Sequence, residues 1–80
     1  MTIGVAVKER ILELCKENDL TVNMLATVSG ITQSTLNNIV SERNNSTTVS
    51  TIQKICDGLN ITIKDFFDSN LFDQIEPELK

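Results

Sequence analysis

The chain has 80 residues, a formal net charge of −4, no histidine, tryptophan or tyrosine, and only two cysteines. Its length makes one domain, which buries only about 60–65% of its unfolded surface. Without histidine, a phosphate-cradling glycine loop or paired carboxylates in an apolar setting, the chain offers no metal or cofactor site and no catalytic constellation, so the expectation is a binding module rather than an enzyme.

In chain order, apolar Val7, Ile11, Leu14 and Cys15 share one stripe of a predicted first helix, about Val5 to Asn18. Lys8, Glu9, Arg10, Glu13, Lys16 and Glu17 are assigned to its solvated face. A second helix follows Thr21 and ends near Ser29. Gly30 supplies the φ > 0 residue of a tight turn, and Ala26 lets the next helix approach closely. Thr32 caps that third helix, which runs to about Ser41. The polar stretch 42–47 is a loop. Thr48 caps a fourth helix ending near Leu59, with Asn60 as a left-handed C-terminal cap and Gly58 costing about 1 kcal/mol relative to alanine. Thr62 and Asp65 form a capping box that opens a fifth helix. Cys15 and Cys56 both fall on apolar stripes and read as buried small hydrophobes.

Two further expectations concern the ends of the chain. No apolar run approaches the ~20 residues of a membrane span, and Met1 to Val7 lacks the basic front of a signal peptide, so a cytoplasmic location without membrane contact is expected. Beyond the fifth helix, Leu71, Phe72 and Ile75 recur at helical spacing until Pro77 interrupts. These groups, with Phe67, either cover the parent domain or meet the same residues of a second copy.

Charge is unevenly placed. Ile61 to Lys80 carries two lysines against five acids, whereas Leu20 to Ser41 carries no charged residue at all. The outer positions of the third helix are Gln33, Ser34, Asn37 and Asn38. Their side chains both donate and accept hydrogen bonds, as reading base edges requires. The helix starts at Thr21 and Thr32 present free N–H groups to anions, and Thr21, Thr32, Thr35, Ser41, Asn44 and Asn45 add neutral donors for phosphate. Arg43 is the one cation in this region.

Leu20-Thr21, Leu25-Ala26, Gly30-Ile31, Thr32-Gln33-Ser34, Leu36 and Ile39, followed by Thr48 to Ile55 and Leu59 to Phe67, resemble the phage-repressor (Cro/cI, xenobiotic-response) helix-turn-helix family. The resemblance covers roughly Val7 to Phe67. It implies an all-α, five-helix lambda-repressor-like DNA-binding domain over residues 1–68 with a C-terminal extension over 69–80. It also implies a sequence-specific regulator, expected to be a repressor, that inserts its third helix in the major groove of double-stranded DNA as a homodimer. Gln33, Ser34, Asn37 and Asn38 would then read bases, and Phe67, Leu71, Phe72 and Ile75 would form the dimer contact. The alternative is a protein-interaction module, or an antitoxin-like partner, that keeps the fold with weak or no DNA binding.

Two positions depart from the family pattern. Val22 stands where the family has a glutamine that touches phosphate and braces the third helix. Cys15 and Val40 stand where the family pairs an arginine with a glutamate, which places these two side chains together at the junction of the first and third helices.

Overall fold

In a computed structural model of the chain, residues 1–41 and 47–79 are described. They form α1 (Ile3–Glu17), α2 (Val22–Ser29), α3 (Gln33–Val40), α4 (Val49–Leu59), α5 (Ile63–Phe67) and a closing 3-10 turn, Asn70–Gln74. There is no strand among the described residues, and the class is the expected one.

The same chemistry starts every α-helix. Thr2, Thr21, Thr32, Thr48 and Thr62 each have an extended backbone and a hydroxyl that accepts the N–H three residues on. Each threonine thereby satisfies one of the N–H groups that a helix start leaves open. Thr2 makes α1 begin two residues earlier than the apolar stripe suggests. At Thr62 the Asp65 carboxylate also accepts the Thr62 N–H at 3.0 Å, completing the capping box. That N–H, together with the Thr62 hydroxyl, holds the Asp65 carboxyl below the usual carboxylate range.

Three helices also end alike. Asp19, Gly30 and Asn60 have φ of 55°, 68° and 58°. After each of them the next N–H reaches back five residues: Leu20 to Cys15, Ile31 to Ala26 and Ile61 to Cys56, at 2.8–3.0 Å. This is the Schellman arrangement, and its companion apolar residues Leu20, Ile31 and Ile61 all pack on the core.

The core gathers Val7, Ile11, Leu14 and Cys15 of α1, Leu25 and Ala26 of α2, Leu36 and Ile39 of α3, Ile52, Ile55 and Cys56 of α4, and Phe66 of α5. Burial pushes both thiols up in pKa, in keeping with inert core residues. Val40 packs against the same cluster that holds Cys15.

Arg10 corrects the sequence reading. It lies not on the solvated face but inside, 7% exposed. Its Nε donates to the Phe66 carbonyl at 2.6 Å and its Nη2 to the Asp65 carbonyl at 2.8 Å, while Nη1 pairs with Glu13. Those carbonyls belong to the last turn of α5: the Asp68 N–H takes that of Asp65 at 3.2 Å, and among the described residues no backbone N–H takes that of Phe66. A cation is favoured there by the helix dipole as well.

Gly58 has a steric reason. A Cβ on it would meet Ser29 Oγ at 2.7 Å and the Val28 carbonyl oxygen at 2.8 Å. The residue therefore sets how closely α4 approaches α2, and its helix-propensity penalty is the cost of that approach.

The closing turn folds back on α1. Phe72 packs on the core, with its ring centroid 4.9 Å from that of Phe67 and 6.4 Å from that of Phe66. The chain's first residue joins it: the Met1 ammonium donates to the Gln74 carbonyl at 3.0 Å, and the Glu76 N–H donates to the Met1 carbonyl at 2.8 Å.

Two substitutions test this packing. Gly58→Ala should lower the melting temperature: alanine gains about 1 kcal/mol of helix propensity, and overpacking against α2 costs about 1–3 kcal/mol. A raised melting temperature would show that α2 and α4 are free to separate. Arg10→Met keeps the aliphatic stem, takes the buried donor from the Phe66 carbonyl and leaves the Asp65 carbonyl with the Asp68 N–H alone. Urea denaturation should show a loss of about 2–3 kcal/mol, the usual penalty for unmade buried hydrogen bonds.

Candidate nucleic-acid interface

α3 is short and its two faces are chemically opposite. Leu36 and Ile39 point into the core, and Gln33, Ser34, Asn37 and Asn38 are exposed. The left-handed Gly30 turns the chain sharply between α2 and α3, and α2 packs on both α3 and α4. The outward row of amides and one hydroxyl therefore stands on a helix supported from behind by the core.

At the start of α3 the Thr32 hydroxyl accepts the Thr35 N–H at 3.2 Å, and the Thr32 carbonyl accepts the Leu36 N–H at 3.1 Å. The Gln33 and Ser34 N–H groups precede any possible helical acceptor. Among the described residues, the side chains of Gln33, Ser34 and Asn38 have no hydrogen-bond partner.

Asn37 behaves differently. Its Nδ2 donates to the Gln33 carbonyl at 2.7 Å and to Asn23 Oδ1 at 2.8 Å. Asn23 is the second residue of α2, one place after Val22. The brace between α2 and α3 that Val22 cannot supply is thus made by an asparagine pair. The sequence reading missed Asn23 because it looked for the brace only at the first position of α2. Its signal was an exposed amide on α2 within reach of another on α3.

The residues singled out for phosphate fall into three groups. Thr21 accepts the Met24 N–H, and Thr35 accepts the Thr32 hydroxyl at 2.7 Å, so each retains its own hydroxyl hydrogen for an outside acceptor. Thr32 and Ser41 have theirs engaged within the chain, Thr32 to Thr35 and Ser41 to the Asn38 carbonyl at 2.8 Å. Arg43, Asn44 and Asn45 lie outside the described residues.

A family model for the Cro/C1-type HTH DNA-binding domain matches residues 10–70. The chain belongs to this family. A solved structure described as the crystal structure of the prophage Lp1 protein 11 is 37% identical, with a TM-score of 0.79 over 94% of this chain and 99% of that one. Curated proteins yield no match. The family supports a DNA-binding regulator, with the helix-turn-helix formed by α2, the Gly30 turn and α3. Among the described residues, no helix is long and apolar enough to cross a membrane.

The electrostatics of this helix pair are unusual for a DNA-binding protein. From Leu20 to Thr48 the charges are Glu42 and Arg43 alone. Binding through neutral donors releases few counterions, since log K falls by about 0.9 per log salt for each phosphate neutralised by a cation. A salt titration of DNA affinity should therefore give a shallow slope, near −0.9 per protomer if Arg43 is the one cation engaged. A slope several times steeper would place the binding surface elsewhere.

Proposed function

We propose that the protein is a sequence-specific regulator, acting as a repressor, that places α3 in the major groove of double-stranded DNA as a homodimer. The observation that carries this reading is the outward row on α3, free of charge and, among the described residues, of internal partners at Gln33, Ser34 and Asn38. Each of these groups matches the donors and acceptors that base edges display. Gln33 sits in the first turn, where its amide can accept from adenine N6 and donate to N7. Ser34 and Asn38 take neighbouring bases, and Asn37 contributes from its braced position.

Phosphate contacts in this reading come from the Thr21 and Thr35 hydroxyls and from the N–H groups at the starts of α2 and α3. Arg43, Asn44 and Asn45 add to them from the loop, and Thr32 and Ser41 join by exchanging an internal hydrogen bond for a phosphate. Backbone contacts of this kind set register, and the α3 side chains supply sequence preference.

Residues 1–68 carry the DNA-binding function and 69–80 the dimer contact. Phe72 is largely taken up by its own domain. The half-buried Leu71 and Ile75 and the outer edge of Phe67 are left to meet a second copy. Two-fold symmetry of the protein demands two-fold symmetry of the site.

Selection from a random DNA pool with the purified protein tests the proposal, and the enriched site should be an inverted repeat. Gln33→Ala should then lose about 1–3 kcal/mol of discrimination at one base pair of each half-site, with the melting temperature essentially unchanged. Arg43→Ala should weaken binding to all sequences alike. Absence of any enriched sequence would favour the protein-interaction module instead.

A further inference from the structure

The Asn23–Asn37 bridge does more than hold two helices together. Asparagine has two N–H donors and one carbonyl acceptor, and a free side chain offers both kinds of group. The Gln33 main-chain oxygen can only accept, so the Asn37 atom that meets it at 2.7 Å must be Nδ2. The second hydrogen of that same nitrogen then goes to the Asn23 atom 2.8 Å away, which must be Oδ1. Both amide orientations follow from one backbone carbonyl. What remains outward on Asn37 is its oxygen, and what remains outward on Asn23 is its nitrogen. Both residues are exposed.

We infer that this bridge sorts the two amides into separate roles, making Asn37 an acceptor-only reader of one base pair and Asn23 a donor-only contact to phosphate. The inference rests on the placement of α3 in the major groove. An amide locked in this way cannot make the bidentate pair with adenine that a free asparagine makes. It recognises the exocyclic amino group of adenine or cytosine and excludes thymine and guanine, whose corresponding edges show O4 and O6 acceptors. Asn23, in the first turn of α2, faces the same side with a neutral donor, which suits a phosphate oxygen and carries no base information. Asn23 is thus a positioning residue for Asn37 as well as a backbone contact.

The test uses the full chain on the site enriched from the random pool, with every base pair of one half-site varied in turn. In the wild type one base pair should prefer A or C over T and G by about three- to tenfold, the worth of a single neutral hydrogen bond. Asn37→Ala should flatten that position. Asn23→Ala should admit T and G at the same base pair, because the freed N–H can now donate, while the position lost in Gln33→Ala stays selective. Asn23→Asp keeps the oxygen that accepts from Asn37 and lacks the outward donor. It should leave the base profile intact and weaken binding to every sequence. An unchanged profile in Asn23→Ala, or flattening at a different base pair from Asn37→Ala, would overturn the inference and leave the major-groove reading standing. A wild type that enriches no sequence would overturn both.

Discussion

The Arg10 guanidinium is the constraint on which the arrangement depends. α5 has five residues, too few to be stable alone, since an isolated helix of that length has barely passed nucleation. It is held by its capping box at one end and by Arg10 at the other, where among the described residues the Phe66 carbonyl has no other donor and the Asp65 carbonyl has only the Asp68 N–H. Fixing those carbonyls seats Phe66, which is fully buried and the largest such side chain in the core. Phe66 in turn gives Phe72 a surface to pack on, and the closing turn then meets the first residue of the chain. A charge buried at this depth is tolerable because Glu13 and two carbonyls take its donors.

The consequence for the DNA-binding side is indirect but physical. α5 packs on α4 through Phe66, α4 supports α2 across the Gly58 contact, α2 carries α3, and α1 backs α3 directly. The α2–α4 junction tolerates no Cβ at position 58, so this approach has little slack. Ser29 shows what the closeness costs: its Oγ is buried without a hydrogen-bond partner among the described residues. The outward face of α3 inherits its rigidity from that packing and from the asparagine bridge. A surface of neutral amides needs such support, because its contacts are short-ranged and fail with small displacements, whereas charges act across several ångströms.

Much of this was legible in the residues. Threonine before each α-helix, glycine or asparagine after two of them, and apolar positions at helical spacing specify where the chain winds and turns, because caps and stripes are local chemistry. The exposed row Gln33, Ser34, Asn37, Asn38 was legible for the same reason, since once Leu36 and Ile39 face inward the rest of a two-turn helix faces out. Thr2 as a cap and Asp19 as a left-handed terminator were missed although their signals are local. Aspartate is a less usual residue for φ > 0, and the apolar stripe alone marks the first helix too late.

Other features were settled only in three dimensions. Arg10 sits three residues after Val7 and four before Leu14, on the edge of the apolar stripe. Periodicity alone cannot say whether such a residue snorkels outward or turns in, because its acceptors lie 55 and 56 residues away in sequence. Gly58 reads as a weak helix position until α2 is laid against it. The Asn23–Asn37 pair spans the turn between two helices, so the crossing of those helices decides which atoms meet. The sequence by itself determined the helices, their ends and the neutral face, each of which follows from neighbours along the chain. The tertiary structure decided which polar groups are engaged and which remain free, because hydrogen-bond satisfaction is a property of space rather than of order along the chain.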